Sequence, residues 1–150
     1  MTQFGYNSLG FGGYANRASG HRYWRSYKTN GATAGGSHLE LNIEDSEGVV
    51  STDSGMFSHS GLVNWNASRV DNGNTSLTCF HTDSSGAGSY MKIDFGDGNG
   101  KDLIKWEYYA NAYATYCYWN IEWSDDDSAW TNVYTGLAMG GVEGWHTATW

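Results

Sequence analysis

What this sequence lacks already excludes several kinds of protein. Its 150 residues contain no proline, so tight turns must be built from glycine, asparagine and aspartate. Only two cysteines are present, Cys79 and Cys117, which is too few for a disulfide framework in a chain of this size. They form either a single bridge or two small buried side chains, and neither lies in a metal-binding spacing such as CxxC.

Positive charge is also scarce. Eight lysines and arginines stand against 16 acidic residues, which gives a formal net charge of −8. An acidic surface repels phosphate backbones and anionic lipids, so nucleic acid and membrane surfaces are disfavoured as partners. The chain has no run of about 18 apolar residues, so no transmembrane helix is predicted. The first twenty residues lack a basic region followed by an apolar core, so no secretory signal is predicted either.

Glycine and aromatic side chains are abundant. The chain has 21 glycines, eight tryptophans, eleven tyrosines and five phenylalanines, enough aromatic surface for the core of one globular domain. Helical periodicity is nearly absent, whereas short runs alternate apolar with polar residues. In HLELNIE, for example, Leu39, Leu41 and Ile43 share one face. Seven or more such runs, separated by Gly, Asn, Asp and Ser clusters, predict an antiparallel β-sandwich or barrel.

The sequence carries none of the motifs that indicate catalysis. It has no Gly-x-Ser-x-Gly, no His-Glu-x-x-His, no phosphate-binding loop and no dinucleotide fingerprint. The five histidines occur singly. The three consecutive aspartates in SDDD, residues 124–127, cannot face each other across a cleft as a hydrolytic pair of carboxylates must. We therefore expect a protein that is not an enzyme.

Several segments occur in an order that resembles a known family. RVDNGNTSLTCFHT, GSYMKIDFG, LIKWEYY and WNIEWSDDDSAWTNV resemble the discoidin family, also called coagulation factor type C domains. These domains share the galactose-binding-like fold with related carbohydrate-binding modules. Upstream, HRYWRSYKTNGATAGGSHLELNIED is similar to a hairpin that often precedes the discoidin core in phage and bacterial surface proteins.

The resemblance covers about residues 21–150. It implies an all-β fold, an antiparallel β-sandwich of the galactose-binding-like jelly-roll type. Residues 1–20 are rich in glycine and aromatics without regular alternation, and we interpret them as an N-terminal arm. This arm is expected to pack onto the sandwich or onto a neighbouring protein.

Departures from the family pattern give local predictions. Asp127 replaces the glycine of a Ser-x-Asp-Gly turn and is expected to adopt the left-handed conformation at some cost. The fold implies that SDDD is a solvated turn between strands and that Trp130 packs back into the core. Ser26 and Lys28 stand where the first strand usually carries aliphatic residues, so that strand is expected at a sheet edge or half exposed.

An oxygen-rich turn suggests a structural calcium ion. Calcium requires six to eight oxygen ligands, and in the resembled family this turn commonly holds calcium together with a glutamate from a strand near the chain end. A plain turn stabilised by Asp and Asn side chains explains the same residues equally well. The candidate ligands from the turn are Asp71, Asn74, Thr75 and Thr78, and the glutamate is Glu143 or, from the upstream hairpin, Glu40 or Glu44.

Sugar recognition is expected in loops at one end of the sandwich, where the resembled fold usually binds its ligand. It requires an aromatic face for the apolar side of a sugar ring and planar polar groups for the hydroxyls. Trp65 or Trp145 could instead cap the core. The candidates are His59, Trp65, Asn66, Arg69, His81, Asp83, Tyr113, Trp145 and His146.

Two functions follow from these observations. The first is a non-catalytic carbohydrate-binding module, displayed on a phage particle or an extracellular surface structure. The second is a structural virion protein, such as a decoration, head-fibre or tail component, that uses the fold for assembly. In both cases the arm is expected to contact virion or surface-structure proteins, or further copies of the same chain in a homo-oligomer.

Overall fold

The computed structural model describes residues 20–30, 37–63, 65–76, 80–82, 87–110, 117–139 and 141–150. Residues 1–19 of the predicted arm lie outside this range. The described residues contain eleven strands and two single-turn 3₁₀ helices, Ser54–Met56 and Ala67–Arg69. The strands are β1 (Tyr23–Lys28), β2 (Ser37–Asp45), β3 (Gly48–Val49), β4 (Phe57–Ser60), β5 (Leu62–Val63), β6 (Phe80–Thr82), β7 (Tyr90–Asp94), β8 (Leu103–Ala110), β9 (Cys117–Ser124), β10 (Thr131–Met139) and β11 (Gly144–Thr149).

The strands form two antiparallel sheets, which confirms the predicted all-β sandwich. One sheet has five strands in the order β10-β9-β1-β7-β4. The other has six, in the order β11-β8-β2-β6-β5, with β3 paired to β2. Within the described ranges, no helix is long and apolar enough to cross a membrane.

Large aromatic side chains fill the space between the sheets. Trp24, Trp106, Tyr108 and Trp119 are among the largest fully buried residues. The alternation read from the sequence is confirmed in β2, where Leu41 and Ile43 are buried, and similarly in β7 and β9. In β8 the predicted buried face is confirmed for Trp106 and Tyr108 but is wrong for Ile104, which is exposed. Cys117 is buried in this core, whereas Cys79 lies outside the described residues.

The position predicted for the first strand is wrong. β1 lies in the middle of the five-stranded sheet, paired with both β7 and β9, and not at an edge. Ser26 and Lys28 are fully buried. The Ser26 hydroxyl lies 2.7 Å from the Tyr108 hydroxyl of the opposite sheet, so its polar atom has a partner in the core. A polar residue in a strand pattern therefore does not require an edge position when the facing sheet supplies that partner.

The SDDD segment is a solvated turn, as expected. Asp125, Asp126 and Asp127 are exposed, and Asp127 has a φ of 59°, the predicted left-handed conformation. The Asp126 carboxylate accepts hydrogen bonds from the N–H groups of Ala129 and Ser128, which hold its pKa well below the usual range.

The core position expected for Trp130 is wrong. Its ring is half-buried on the outer face of the five-stranded sheet, and the Arg25 guanidinium lies 3.9 Å from the ring centroid. A cation–π contact thus takes the place of core packing for this ring.

Candidate functional site

Six of the predicted ligand residues lie in two separate places. His59 belongs to β4, and Trp65, Asn66 and Arg69 follow β5, whereas Trp145 and His146 belong to β11. In the six-stranded sheet, β5 and β11 are at opposite ends of the strand order. The structure therefore does not bring Trp65 and Trp145 together into one loop cluster.

The first group is engaged in local packing. The imidazole of His59 stacks on the Trp65 ring with centroids 4.6 Å apart, and Trp65 packs partly against the core. Partial burial lowers the pKa of His59. The Asn66 side chain accepts hydrogen bonds from the N–H and hydroxyl of Ser68 and so caps the 3₁₀ helix that ends at Arg69. Trp65 thus contributes to core packing and Asn66 to helix capping, so a structural role accounts for both residues without a ligand.

Three further candidates lie wholly or partly outside the described residues. His81 lies in β6 opposite Val63 of β5, and its side chain is outside the described part of the structure. Asp83 and Tyr113 lie outside the described residues altogether.

The second group places an aromatic ring on the protein surface. The Trp145 side chain is 46% exposed although it belongs to a strand. Tyr109 of the neighbouring β8 contacts it edge-on, with ring centroids 5.5 Å apart. The Tyr109 hydroxyl donates to the Glu143 carboxylate, and this hydrogen bond raises the pKa of Tyr109. His146 is half-buried and its Nε2 lies 3.2 Å from the Val142 carbonyl oxygen. The exposed Trp145 ring thus packs against Tyr109, which is itself hydrogen-bonded to Glu143.

Glu40 organises the turn that contains Asp71. Its carboxylate accepts hydrogen bonds from the backbone N–H groups of Asn72, Gly73 and Asn74, at 2.9, 3.1 and 3.0 Å. Although Glu40 lies on the outer face of β2, this turn covers it, and only 4% of the residue is exposed. Burial raises the pKa of Glu40 and outweighs the three hydrogen bonds, which act to lower it.

The described turn residues do not by themselves make a calcium shell. Asp71 accepts hydrogen bonds from the N–H and hydroxyl of Thr52, and the Asn74 side-chain oxygen accepts from the N–H of Ser76. Both carboxylate oxygens of Glu40 accept hydrogen bonds from backbone N–H groups. A calcium ion would have to be surrounded by oxygen ligands instead. No group of three or more His, Cys, Asp or Glu side chains suited to a metal occurs among the described residues.

The remaining proposed metal ligands are distributed as follows. Thr75 belongs to the described turn, and Thr78 lies outside the described residues. Glu143 is bound to Tyr109 near Trp145, and Glu44 pairs with Lys105. Of the three candidate glutamates, Glu40 is the one hydrogen-bonded to the turn. Calcium binding stays a prediction.

A shallow groove joins the Asp71 turn to the Trp145 ring. It has a volume of about 410 Å³ and lies on the outer face of the six-stranded sheet. The strand register explains its composition, because Glu40 is opposite Tyr109 and Tyr109 is opposite Trp145. It is lined by Glu40, Leu41, Asn42, Asp71, Gly73, Glu107 and Trp145.

A network of hydrogen bonds orients the polar groups of this groove. The Glu107 carboxylate accepts from the Asn42 amide at 2.8 Å and from the Thr147 hydroxyl at 2.8 Å, and it pairs with Lys105 at 3.0 Å. Burial acts to raise the pKa of Glu107, but these three contacts together hold it below the ordinary value. The carboxylate is therefore ionised at neutral pH and fixed in position.

Sequence reasoning selected Trp145 as a candidate, but it did not select Asn42 or Glu107, which line the same groove. The alternation in HLELNIE had correctly placed Glu40 and Asn42 on the face opposite Leu41 and Ile43. The sequence did not show which strands are neighbours. The pairing of β2 with β8 brings Glu107 beside Asn42.

Comparisons with protein-family models, with curated proteins and with solved structures find no match to this chain. The resemblance to discoidin domains therefore rests on the sequence segments quoted above.

Proposed function

We propose that this chain is a non-catalytic carbohydrate-binding module and that the groove beside Trp145 is its sugar-binding surface. The observation that carries the proposal is the exposed, edge-supported Trp145 ring next to oriented amide and carboxylate groups. An indole face offers apolar contact to the C–H side of a sugar ring. The side chains of Asn42 and Asp71 offer hydrogen bonds to its hydroxyl groups.

The shape of the groove sets the expected affinity. A shallow groove of about 410 Å³ has room for one or two sugar units. Such contacts support dissociation constants in the millimolar to micromolar range, about −4 to −8 kcal/mol. Useful avidity then requires several copies, which agrees with display on a phage particle or an extracellular surface structure through the N-terminal arm.

Internal hydrogen bonds favour binding over catalysis. Both oxygens of Glu40 and both oxygens of Glu107 accept hydrogen bonds from the protein itself. A general acid or base must instead exchange its proton with the substrate. These two carboxylates are better suited to shaping the groove than to transferring protons.

A titration of two tryptophan variants tests the proposal. A glycan that binds the parent on an array is titrated by calorimetry against Trp145→Ala and against Trp65→Ala, the ring from the other group. Loss of a stacking ring costs roughly 1–3 kcal/mol, so Trp145→Ala should weaken binding about fivefold to 150-fold. Trp65→Ala should bind as the parent does, once circular dichroism shows that both variants are folded.

Two other results would reject the proposed site or function. If Trp65→Ala weakens binding and Trp145→Ala does not, the sugar site lies in the loops near His59. If no glycan binds the parent while the chain assembles onto a particle lattice, the structural virion protein is the better description.

A further inference from the structure

We propose that the groove selects sugars that carry a free, protonated amine, such as 2-amino-2-deoxyhexoses without an N-acetyl group. This inference rests on the proposed function and specifies its ligand class. It follows from the charges that line the groove together with the aromatic ring at its edge.

The groove is acidic. Glu40, Asp71 and Glu107 line it, and its described lining residues include no lysine, arginine or histidine. The nearest cation of the network is Lys105, which is shared between Glu107 and Glu44 and so balances only part of the charge. Glu143 adds a fourth carboxylate beside Tyr109. Uronic acids, sialic acids and sulfated sugars are therefore repelled from this surface.

A protonated amine, by contrast, finds complementary groups here. The Asp71 carboxylate is exposed and can accept a charge-assisted hydrogen bond from an ammonium group. The Trp145 ring is the best aromatic acceptor for a cation–π contact, and its position in the groove places it within reach of the same ligand. N-acetylation of the amine removes the positive charge and both of these interactions.

The Trp145 ring and the Asp71 carboxylate act on the same sugar because strand pairing and the Asp71 turn fix them relative to each other. Trp145 pairs with Tyr109 across β11 and β8, and Tyr109 pairs with Glu40 across β8 and β2. Glu40 in turn holds the backbone next to Asp71 through the N–H groups of Asn72 and Gly73. The distance from the aromatic ring to the acidic wall is thus set by two strand pairings.

The test compares two matched trisaccharides, the β-1,4-linked glucosamine trimer and its fully N-acetylated form. Each is titrated by calorimetry at pH 6 against the parent, Asp71→Asn, Trp145→Ala and a control, Asp97→Asn. Asp97 is an exposed carboxylate in the loop between β7 and β8, outside the groove. The variants Asp71→Asn and Asp97→Asn remove the same charge from the chain, so they separate local recognition from general attraction.

The inference predicts that the amine trimer binds the parent at least about tenfold more tightly than the N-acetylated trimer. Raising the salt from about 20 mM to about 500 mM should weaken this binding, because salt screens exposed charges. Asp71→Asn and Trp145→Ala should each weaken it at least about fivefold, and Asp97→Asn should leave it unchanged.

Three results would overturn the inference. Equal or tighter binding of the N-acetylated trimer, lost in Trp145→Ala, rejects the amine selectivity and leaves the carbohydrate-binding proposal intact. Binding of the amine trimer that falls equally in Asp71→Asn and Asp97→Asn and persists in Trp145→Ala shows general charge attraction only. Absence of binding by both trimers and by every glycan on an array rejects the proposed function together with this inference.

Discussion

The hydrogen bond between Ser26 and Tyr108 joins the two sheets inside the core, and its removal gives a quantitative test of the fold. Both residues are fully buried, their hydroxyl oxygens are 2.7 Å apart, and Tyr108 also donates to the Met91 sulfur at 3.7 Å. Removing one hydroxyl of a buried pair leaves the other without that partner, at a cost of about 1–3 kcal/mol. Tyr108→Phe should therefore lower the free energy of unfolding by about this amount. Ser26→Ala should cost about 1 kcal/mol, the lower end of the range, because the Tyr108 hydroxyl keeps its contact with the Met91 sulfur.

The double variant should be less damaging than the sum of the two single variants. Replacing both partners with apolar groups removes the hydrogen bond without leaving a dry hydroxyl, which is often nearly neutral. We expect the Ser26→Ala/Tyr108→Phe variant to recover at least about 1 kcal/mol relative to additivity. Urea denaturation measures these differences, and each kcal/mol corresponds to roughly 2–4 °C in melting temperature for a domain of this size.

Additive effects would refute this reasoning. If the single variants each cost less than about 0.3 kcal/mol, or if their effects add in the double variant, the two hydroxyls are not coupled. The burial of a polar residue in the central strand would then need another explanation.

Three further predictions concern the surface. Asp127→Ala should destabilise the fold by about 1 kcal/mol, because alanine keeps the Cβ that the left-handed conformation disfavours and loses the short polar side chain that lets aspartate tolerate it. Asp127→Gly should change the stability little, because glycine has no Cβ. Equal losses in urea denaturation would instead indicate the lost ion pair with Lys92. The hydrogen bond from Arg22 lowers the pKa of Asp94 in the folded protein. The stability that this hydrogen bond contributes is therefore fully present above the pKa of Asp94 in the unfolded chain, near 4, and is lost as the pH falls through the pKa of Asp94 in the folded protein. The stability difference between the parent and Arg22→Gln, measured by urea denaturation from about pH 6 to pH 2, should shrink in that window, and a constant difference would contradict this assignment. If Asp71 belongs to a calcium site, EDTA should lower the melting temperature and added calcium should restore it. The reason is that a ligand that binds the native state stabilises that state by mass action. An unchanged melting temperature would remove the calcium prediction.

Local patterns in the sequence were enough to predict much of the architecture. The alternation of Leu41 and Ile43 with polar neighbours predicted a half-buried strand, because successive side chains of a strand point to opposite faces. The SDDD turn and the positive φ of Asp127 were expected from the resemblance, in which Asp127 stands in place of a turn glycine, and aspartate tolerates that conformation better than most residues. These features depend on neighbouring residues in the chain.

Tertiary structure alone decided where the strands lie relative to one another. Ser26 and Lys28 look like residues of an exposed strand, yet β1 is central, because pairing with β7 and β9 depends on residues far along the chain. Glu40 alternates with Leu41 and Ile43, which puts it on the face of β2 away from the core, and only the fold shows that the 72–74 turn covers it. The groove beside Trp145 arises in the same way, since residues from β2, β8, β11 and the Asp71 turn meet there. A period-two pattern determines which residues of one strand share a face, but long-range pairing and register determine which residues of other strands lie beside them.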